Sequence, residues 1–123
     1  MAKTVLDLNA EELHSYRPGS KVNVWQGAEQ WEQGWEVART ATRLLREKFR
    51  AARVVVFGSL VHRAWFTPWS DIDLAAWGIP ATQFYRAVAA VTGISPDFEV
   101  NLVDPEGCRP TVRKVIEREG VEL

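Results

Sequence analysis

Two short apolar runs, separated by a glycine–serine step and a pair of aspartates, most strongly limit what this chain can fold into. The first run, RVVVF at 53–57, is β-branched and too short for a helix, so it is typical of a buried strand. Gly58 and Ser59 break it. The second run, IDLAAW at 72–77, predicts another strand, which a glycine and a proline end.

Helical patterns surround these two strands. From about 21 to 49, apolar residues recur on one face at helical spacing: Trp31, Trp35, Ala38, Leu45 and Phe49. Gly34 weakens this helix by roughly 1 kcal/mol relative to Ala, so we expect it to begin only near Ala28. Segments 81–93 and 110–120 predict two further helices, and segment 98–104 predicts a third strand. This order predicts the α/β (α+β) class, with a small mixed β-sheet flanked by helices.

Length and composition narrow the class of protein. A chain of 123 residues suits one domain, which we place at 21–123 after an N-terminal arm at 1–20. The net charge of −1 gives no sign of a general nucleic-acid or membrane-surface binder. One cysteine excludes an internal disulfide, and the sequence has no apolar run of membrane-spanning length and no signal peptide. We therefore expect a cytoplasmic protein that does not bind membranes and does not bind nucleic acid directly.

The paired carboxylates of Asp71 and Asp73 are the first candidate site. Side chains alternate faces along a strand, so these two point the same way while Ile72 points to the core. Two like charges about 7 Å apart are costly in a water-poor setting unless a cation lies between them. Mg²⁺ prefers carboxylate oxygens together with substrate phosphates. The alternative is a pair of solvated aspartates at the end of a strand.

The Gly58-Ser59 step favours the metal interpretation, because it ends the strand that precedes the aspartates. A glycine there lets backbone N–H groups approach a ligand, and a serine hydroxyl can bond a phosphate oxygen. A helix starting near Leu60 would direct its positive end at an anion. Together these features predict a site that binds phosphate groups and a metal ion.

The stretch VVVFGS…SDIDLA resembles the signature of the DNA polymerase β nucleotidyltransferase superfamily, a Gly-Ser step followed by D-x-D. The helix and strand order, and the segment VRKVIEREGVEL at the end of this sequence, resemble the minimal nucleotidyltransferase (MNT) subgroup over roughly 35–123. The resemblance implies the nucleotidyltransferase fold. It also implies an antitoxin that transfers AMP from ATP to a HEPN-domain RNase toxin.

The resemblance also implies roles for individual residues. Gly58 and Ser59 hold the triphosphate of ATP, and Asp71 and Asp73 hold Mg²⁺, with two metal ions expected. Ser70, beside the first aspartate, is expected to support nucleotide binding. The acceptor hydroxyl attacks the α-phosphorus, and pyrophosphate leaves.

The sequence departs from the family pattern in two places: eleven residues, one more than is common, lie between Ser59 and Asp71, and position 101 differs more seriously. Asn101 stands where the third carboxylate is expected, and an amide cannot act as a general base. Glu99 lies two residues earlier on the same strand face and could supply the charge, whereas Asp104 is on the other face. The open alternatives are a natural variant using Glu99, an impaired or inactive enzyme, and an engineered change.

The loop between the two motifs contains further candidates. Arg63 could contact the triphosphate, and aromatic residues at 65, 66 and 69 could stack on the base or pack onto the sheet. His62 is expected to be a loop residue rather than a metal ligand. Outside the loop, Trp25 could anchor a partner protein.

Three functions remain open from the sequence. The first is the AMP-transferring antitoxin, the second is an inactive antitoxin that neutralises its partner by occlusion, and the third is a nucleotidyltransferase acting on a small hydroxyl compound. The small size favours a partner that supplies its own recognition surface.

Overall fold

The computed structural model describes residues 27–123, so the arm at 1–20 and Trp25 lie outside the described residues. Three helices and four strands follow one another in the order α1 (Gly27–Phe49), β1 (Arg53–Phe57), β2 (Ile72–Trp77), α2 (Ala81–Thr92), β3 (Val100–Val103), α3 (Pro110–Glu119) and β4 (Val121–Glu122). Two short 3₁₀ helices, Gly58–Val61 and Arg63–Trp65, lie between β1 and β2. The mixed α/β class predicted from the sequence is confirmed.

The strands form one mixed sheet in the order β3-β2-β1-β4. β1 pairs antiparallel with both β2 and β4, whereas β2 and β3 run parallel. In this register Phe57 lies opposite Asp73, and Asp73 lies opposite Asn101. The end of β1 that leads into Gly58 therefore adjoins the two polar strand positions.

One face of the sheet packs against α1 and α2 and forms the main core. Alternate strand residues face it and are buried, namely Val54, Val56, Ile72, Leu74, Ala76, Val100 and Leu102. The remaining strand residues face α3, where Val55, Phe57 and Ala75 pack on Ile116. This second cluster is smaller, and it leaves part of the α3 face for polar residues.

Gly34 is buried in the middle of α1, where a helix-weakening residue needs a packing reason. A Cβ at this position would lie 2.9 Å from Leu60 Cδ1 and 3.0 Å from Phe66 Cζ. One turn earlier, Trp31 Nε1 donates a hydrogen bond of 2.9 Å to the carbonyl oxygen of Leu60. The loop after β1 is thus seated closely on α1, and glycine leaves the room for it.

The end of the sequence completes the sheet beside β1. The backbone N–H of Leu123 donates to the carbonyl oxygen of Val54 at 3.0 Å, and Arg46 donates to the carbonyl oxygen of Leu123. Arg53 also lies 3.0 Å from Glu122 and over the ring of Trp77. Among residues 27–123, no helix is both long and apolar enough to cross a membrane.

Candidate active site

Asn101 links the two aspartates of the D-x-D motif. Its Nδ2 donates hydrogen bonds to Asp71 Oδ2 and to Asp73 Oδ1, each 3.2 Å long. The strand register brings this about, because Asp73 and Asn101 are direct partners across parallel strands and Asp71 lies two residues before Asp73 on the same face. The three side chains predicted to share a face therefore converge on one point.

The electrostatics of Asp73 reflect this crowding. Burial raises the pKa of its carboxyl above the ordinary value of 3.8, and the nearby Asp71 charge raises the pKa further. The hydrogen bond from Asn101 acts in the opposite direction and lowers the pKa. The site thus holds one carboxylate at some electrostatic cost, which the amide partly offsets.

Gly58 lies directly against Asp73. Its φ is +81°, a left-handed conformation that side chains rarely adopt, and a Cβ would lie 2.5 Å from Asp73 Oδ2. Both facts require glycine here. The Gly-Ser step and the aspartate pair are consequently one site rather than two separate motifs.

Ser59 lies in the short 3₁₀ helix Gly58–Val61, whereas the sequence pattern predicts a helix that starts near Leu60. That prediction is wrong because the chain makes only one such turn before His62 adopts an extended conformation. Within residues 27–123 the Ser59 hydroxyl makes no hydrogen bond, so it is free to bond a ligand. A full helix terminus as an anion site is absent from this loop.

Arg63 and Ser70 are engaged in the loop itself. The Arg63 guanidinium lies 5.2 Å from the ring centroid of Trp31, in cation–π geometry. The Ser70 hydroxyl accepts a hydrogen bond from the backbone N–H of Thr67 at 2.9 Å, and the Ser70 N–H donates to the Thr67 carbonyl oxygen at 3.0 Å. Both residues shape the loop, and their predicted nucleotide contacts remain predictions.

His62 forms a contact that sequence reasoning missed. Its Nε2 lies 2.8 Å from Glu119 Oε1 at the end of α3, and this hydrogen bond is the main reason that the pKa of Glu119 is lowered. The ring also lies against Trp65, with centroids 4.1 Å apart. The two partners in the hydrogen bond are 57 residues apart, so no local pattern could have indicated it.

The loop aromatics divide into one packed ring and two exposed rings. Phe66 packs on Phe98 with centroids 5.7 Å apart, as a core-packing role requires. Trp65 and Trp69 are 63% and 64% exposed, so of the two alternatives, packing onto the sheet does not apply to them. Burial in the core therefore does not explain why large apolar side chains stand at these two positions.

Glu99 and Asp104 are the two carboxylates that could accept a proton in place of Asn101, and they lie in different surroundings. Glu99 is exposed and lies just before β3. Asp104 caps a turn after β3, where its Oδ1 accepts a hydrogen bond from the Glu106 N–H at 3.0 Å. Asp104 is therefore committed to the loop, while Glu99 has the freedom that a proton acceptor needs.

The donor set fits a hard divalent cation. Asp71 and Asp73 present carboxylate oxygens to one point, and an amide such as Asn101 can also offer a carbonyl oxygen. The site does not contain a third carboxylate, and in the described part of the chain no group of three or more His, Cys, Asp or Glu residues is clustered for a metal. An oxygen-rich site completed by water or phosphate oxygens matches Mg²⁺ better than Zn²⁺.

A cavity of about 430 Å³ lies elsewhere on the α3 side, lined by Trp77, Pro105, Glu106, Arg113, Ile116 and Glu117. It contains none of the candidate residues. Trp77 is at the opposite end of β2 from Asp73. The candidate site therefore lies at the other end of β2, away from this cavity.

No family model and no curated protein matches this sequence. Solved structures do match. A candidate minimal nucleotidyltransferase superposes with a TM-score of 0.58 and 27% identity, over 76% of this chain and 95% of that one. A chain of a toxin–antitoxin complex with AMP-PNP superposes with a TM-score of 0.55 and 19% sequence identity, over 68% of this chain and 69% of that one. A chain of the MntA–HepT toxin–antitoxin complex superposes with a TM-score of 0.51 and 17% sequence identity, over 72% of this chain and 69% of that one.

These similarities agree with the geometry of the site. The sheet order, the Gly58 turn packed against Asp73 and the paired aspartates stand in a chain whose fold matches all three structures. The resemblance inferred from the Gly-Ser and D-x-D motifs is therefore confirmed, and this chain has the fold of a minimal nucleotidyltransferase domain.

Proposed function

We propose that this protein is a nucleotidyltransferase antitoxin that transfers AMP from ATP to a HEPN-domain toxin in the cytoplasm. One observation carries the proposal: Asp71, Asp73 and Asn101 converge within hydrogen-bond distance while Gly58 lies against Asp73. Two of the structural neighbours are toxin–antitoxin complexes, one of them with AMP-PNP. These likenesses support a nucleotide substrate and a toxin partner.

Each residue of the site then has a role. Asp71 and Asp73 would hold Mg²⁺, which when bound neutralises the phosphates of ATP and stabilises the charge that develops during transfer. Gly58, whose positive φ and contact with Asp73 exclude a side chain, would present its backbone N–H to a phosphate, and the Ser59 hydroxyl would bond a phosphate oxygen. The turn closed by Thr67 and Ser70 fixes where the D-x-D strand begins.

The acceptor is a hydroxyl group of the toxin. Its oxygen bonds to the α-phosphorus of ATP, the bond to the bridging oxygen of the β-phosphate breaks, and pyrophosphate leaves with that electron pair. The hydroxyl proton must go to a base, and Asn101 cannot accept it. Glu99, which is exposed and lies two residues before Asn101 on the same strand face, is the carboxylate that we propose for this role.

A second function is favoured by the hydrogen bonds of Asn101. An N–H group points at both carboxylates from the place where a third carboxylate would complete the metal site. This arrangement stabilises the site without a cation. In this alternative the protein has lost transfer and neutralises its toxin by covering the toxin's active site.

The test is incubation of the full chain with ATP labelled at the α-phosphate, Mg²⁺ and the HEPN-domain product of the neighbouring gene. We expect label on the partner, none with Asp71→Asn, and more with Asn101→Asp. Asp71→Asn is the matched control because it keeps the size of the side chain and its ability to accept the Asn101 hydrogen bond.

The same samples separate the two functions. Under occlusion the wild-type protein leaves the partner unlabelled, yet it inhibits the partner's RNase activity, and Asp71→Asn inhibits equally well. Labelling of a small hydroxyl compound but not of any protein would reject both antitoxin functions.

A further inference from the structure

We propose that the exposed face of the Trp65 indole is the stacking surface for the nucleobase of the bound nucleotide. The proposal rests on the proposed function, because it assumes that a nucleoside triphosphate binds at Gly58-Ser59. It concerns a subsite that neither the D-x-D strand nor the Gly-Ser turn supplies.

The Trp65 ring is held in place from one side. The His62 ring lies 4.1 Å from it, centroid to centroid, at an interplanar angle of 35°. His62 is itself fixed by its 2.8 Å contact with Glu119, and the backbone N–H of Trp65 donates to the His62 carbonyl oxygen at 2.7 Å. A large ring backed in this way loses little conformational freedom when a ligand stacks on its other face.

The position of the ring suits the base of a nucleotide whose phosphates lie at the Gly-Ser turn. Glu119 belongs to α3, so its contact with His62 ties Trp65 to the face of the sheet that Asp73 and Asn101 share. Ser59 and Trp65 lie in successive 3₁₀ turns of the same short loop, Gly58–Val61 and Arg63–Trp65. A nucleotide whose phosphates lie at Ser59 therefore has its base next to the loop that contains Trp65.

The exposure of the ring lacks a folding explanation. Trp65 is 63% exposed, and its one ring contact among residues 27–123 is with His62. The neighbouring Arg63 lies over Trp31 instead, so this cation does not cover the indole. Every nucleobase has a π face, and stacking of a base on an aromatic side chain is favourable for all of them. The subsite therefore takes a nucleotide without selecting strongly among bases.

The experiment is isothermal titration calorimetry of the full chain with ATP and with inorganic tripolyphosphate, both in Mg²⁺. The tripolyphosphate reports on the phosphate site alone. The variants are Trp65→Ala, Trp65→Phe and Trp69→Ala, the last being a matched control because Trp69 is equally exposed on the same loop.

We expect Trp65→Ala to weaken ATP binding about 5- to 100-fold while tripolyphosphate binding is unchanged. Trp65→Phe keeps a ring and should recover most of the ATP affinity. Trp69→Ala should bind both ligands as the wild-type protein does.

Three results would overturn the proposal. They are wild-type ATP affinity in Trp65→Ala, equal losses for ATP and tripolyphosphate in that variant, and a loss of ATP affinity in Trp69→Ala instead. Failure of the wild-type protein to bind either ligand would reject the proposed function itself.

Discussion

On the face of the sheet toward α1 and α2, β2 presents Ile72 and Leu74, both fully buried among apolar neighbours. On the opposite face, the residues at alternate positions are Asp71 and Asp73, and the neighbouring strand adds Asn101. At the start of β2, alternation thus places core residues and candidate site residues on opposite faces of the sheet. A substitution of Leu74 should therefore affect mainly stability, whereas a substitution of its neighbour Asp73 should affect mainly ligand binding.

The two faces are also covered to different extents. α1 and α2 cover the apolar face, whereas α3 covers only the part around Val55, Phe57 and Ala75. Asp73 is left half-buried, which is enough to raise the pKa of its carboxyl and leaves it accessible. Partial cover of the sheet therefore leaves the carboxyl of Asp73 partly shielded from solvent and still accessible.

The largest effect on stability should come from Leu74→Ala on the apolar face. Leu74 is 0% exposed, and a cavity in such a place costs about 2–5 kcal/mol of the free energy of unfolding. Guanidinium unfolding measures it. Asp73→Asn, one residue away, should change stability by less than about 1 kcal/mol. Comparable losses in both variants would mean that the faces do not divide these roles.

Asn101→Asp should have the next largest effect. It replaces an N–H donor by a third negative charge, so the metal-free protein at neutral pH should lose about 1–3 kcal/mol of stability. Added Mg²⁺ should raise the melting temperature of this variant more than that of the wild-type protein. Asn101→Ala removes the donor without adding charge and should lose less. A metal-free Asn101→Asp variant as stable as the wild-type protein would contradict the role given to the amide.

Gly58→Ala tests the junction of the turn and the aspartate. A left-handed φ costs a non-glycine residue about 1–2 kcal/mol, and the new Cβ would displace Asp73. Stability should fall by that amount, and binding of ATP with Mg²⁺ should weaken. Gly93→Ala is the control, because nothing lies within 4 Å of a Cβ there. If the two variants unfold at the same denaturant concentration, Gly58 is not required by its surroundings.

The smallest effect should be a pH dependence due to Asp73. Its pKa is raised in the folded protein, so the folded state binds more protons than the unfolded state as pH rises from about 3.8. The contribution of Asp73 to stability should therefore fall with rising pH and level off above the folded pKa. Subtracting the stability curve of Asp73→Asn from that of the wild-type protein isolates it. A difference that rises with pH would have the wrong sign.

Local patterns predicted the frame of the fold well. The strands at 53–57 and 72–77 have the predicted bounds, because breakers follow both. The third strand is Val100–Val103, shorter than the predicted 98–104, and β4 was missed because two residues give no periodicity. Such a strand exists only through its pairing with β1, which is a tertiary effect.

The site was predicted as a set of residues but not as a set of bonds. Alternation placed Asp71 and Asp73 on one face, the family resemblance placed Asn101 at the third carboxylate position, and the structure adds that the Asn101 amide bridges both carboxylates. The pairing of His62 with Glu119 and the seating of Phe66 on Gly34 join distant segments. Contacts between distant segments depend on packing, so they could not be read from spacing.

The amide of Asn101 has two chemically different ends. In this structure its NH₂ end faces the carboxylates, as suits a pair of negative charges. A half-turn about the last side-chain torsion would present its carbonyl oxygen instead, which suits a cation. Aspartate has no such choice, because both of its oxygens are acceptors. Asparagine at this position therefore lets one side chain complement the site in two opposite charge states without moving the backbone.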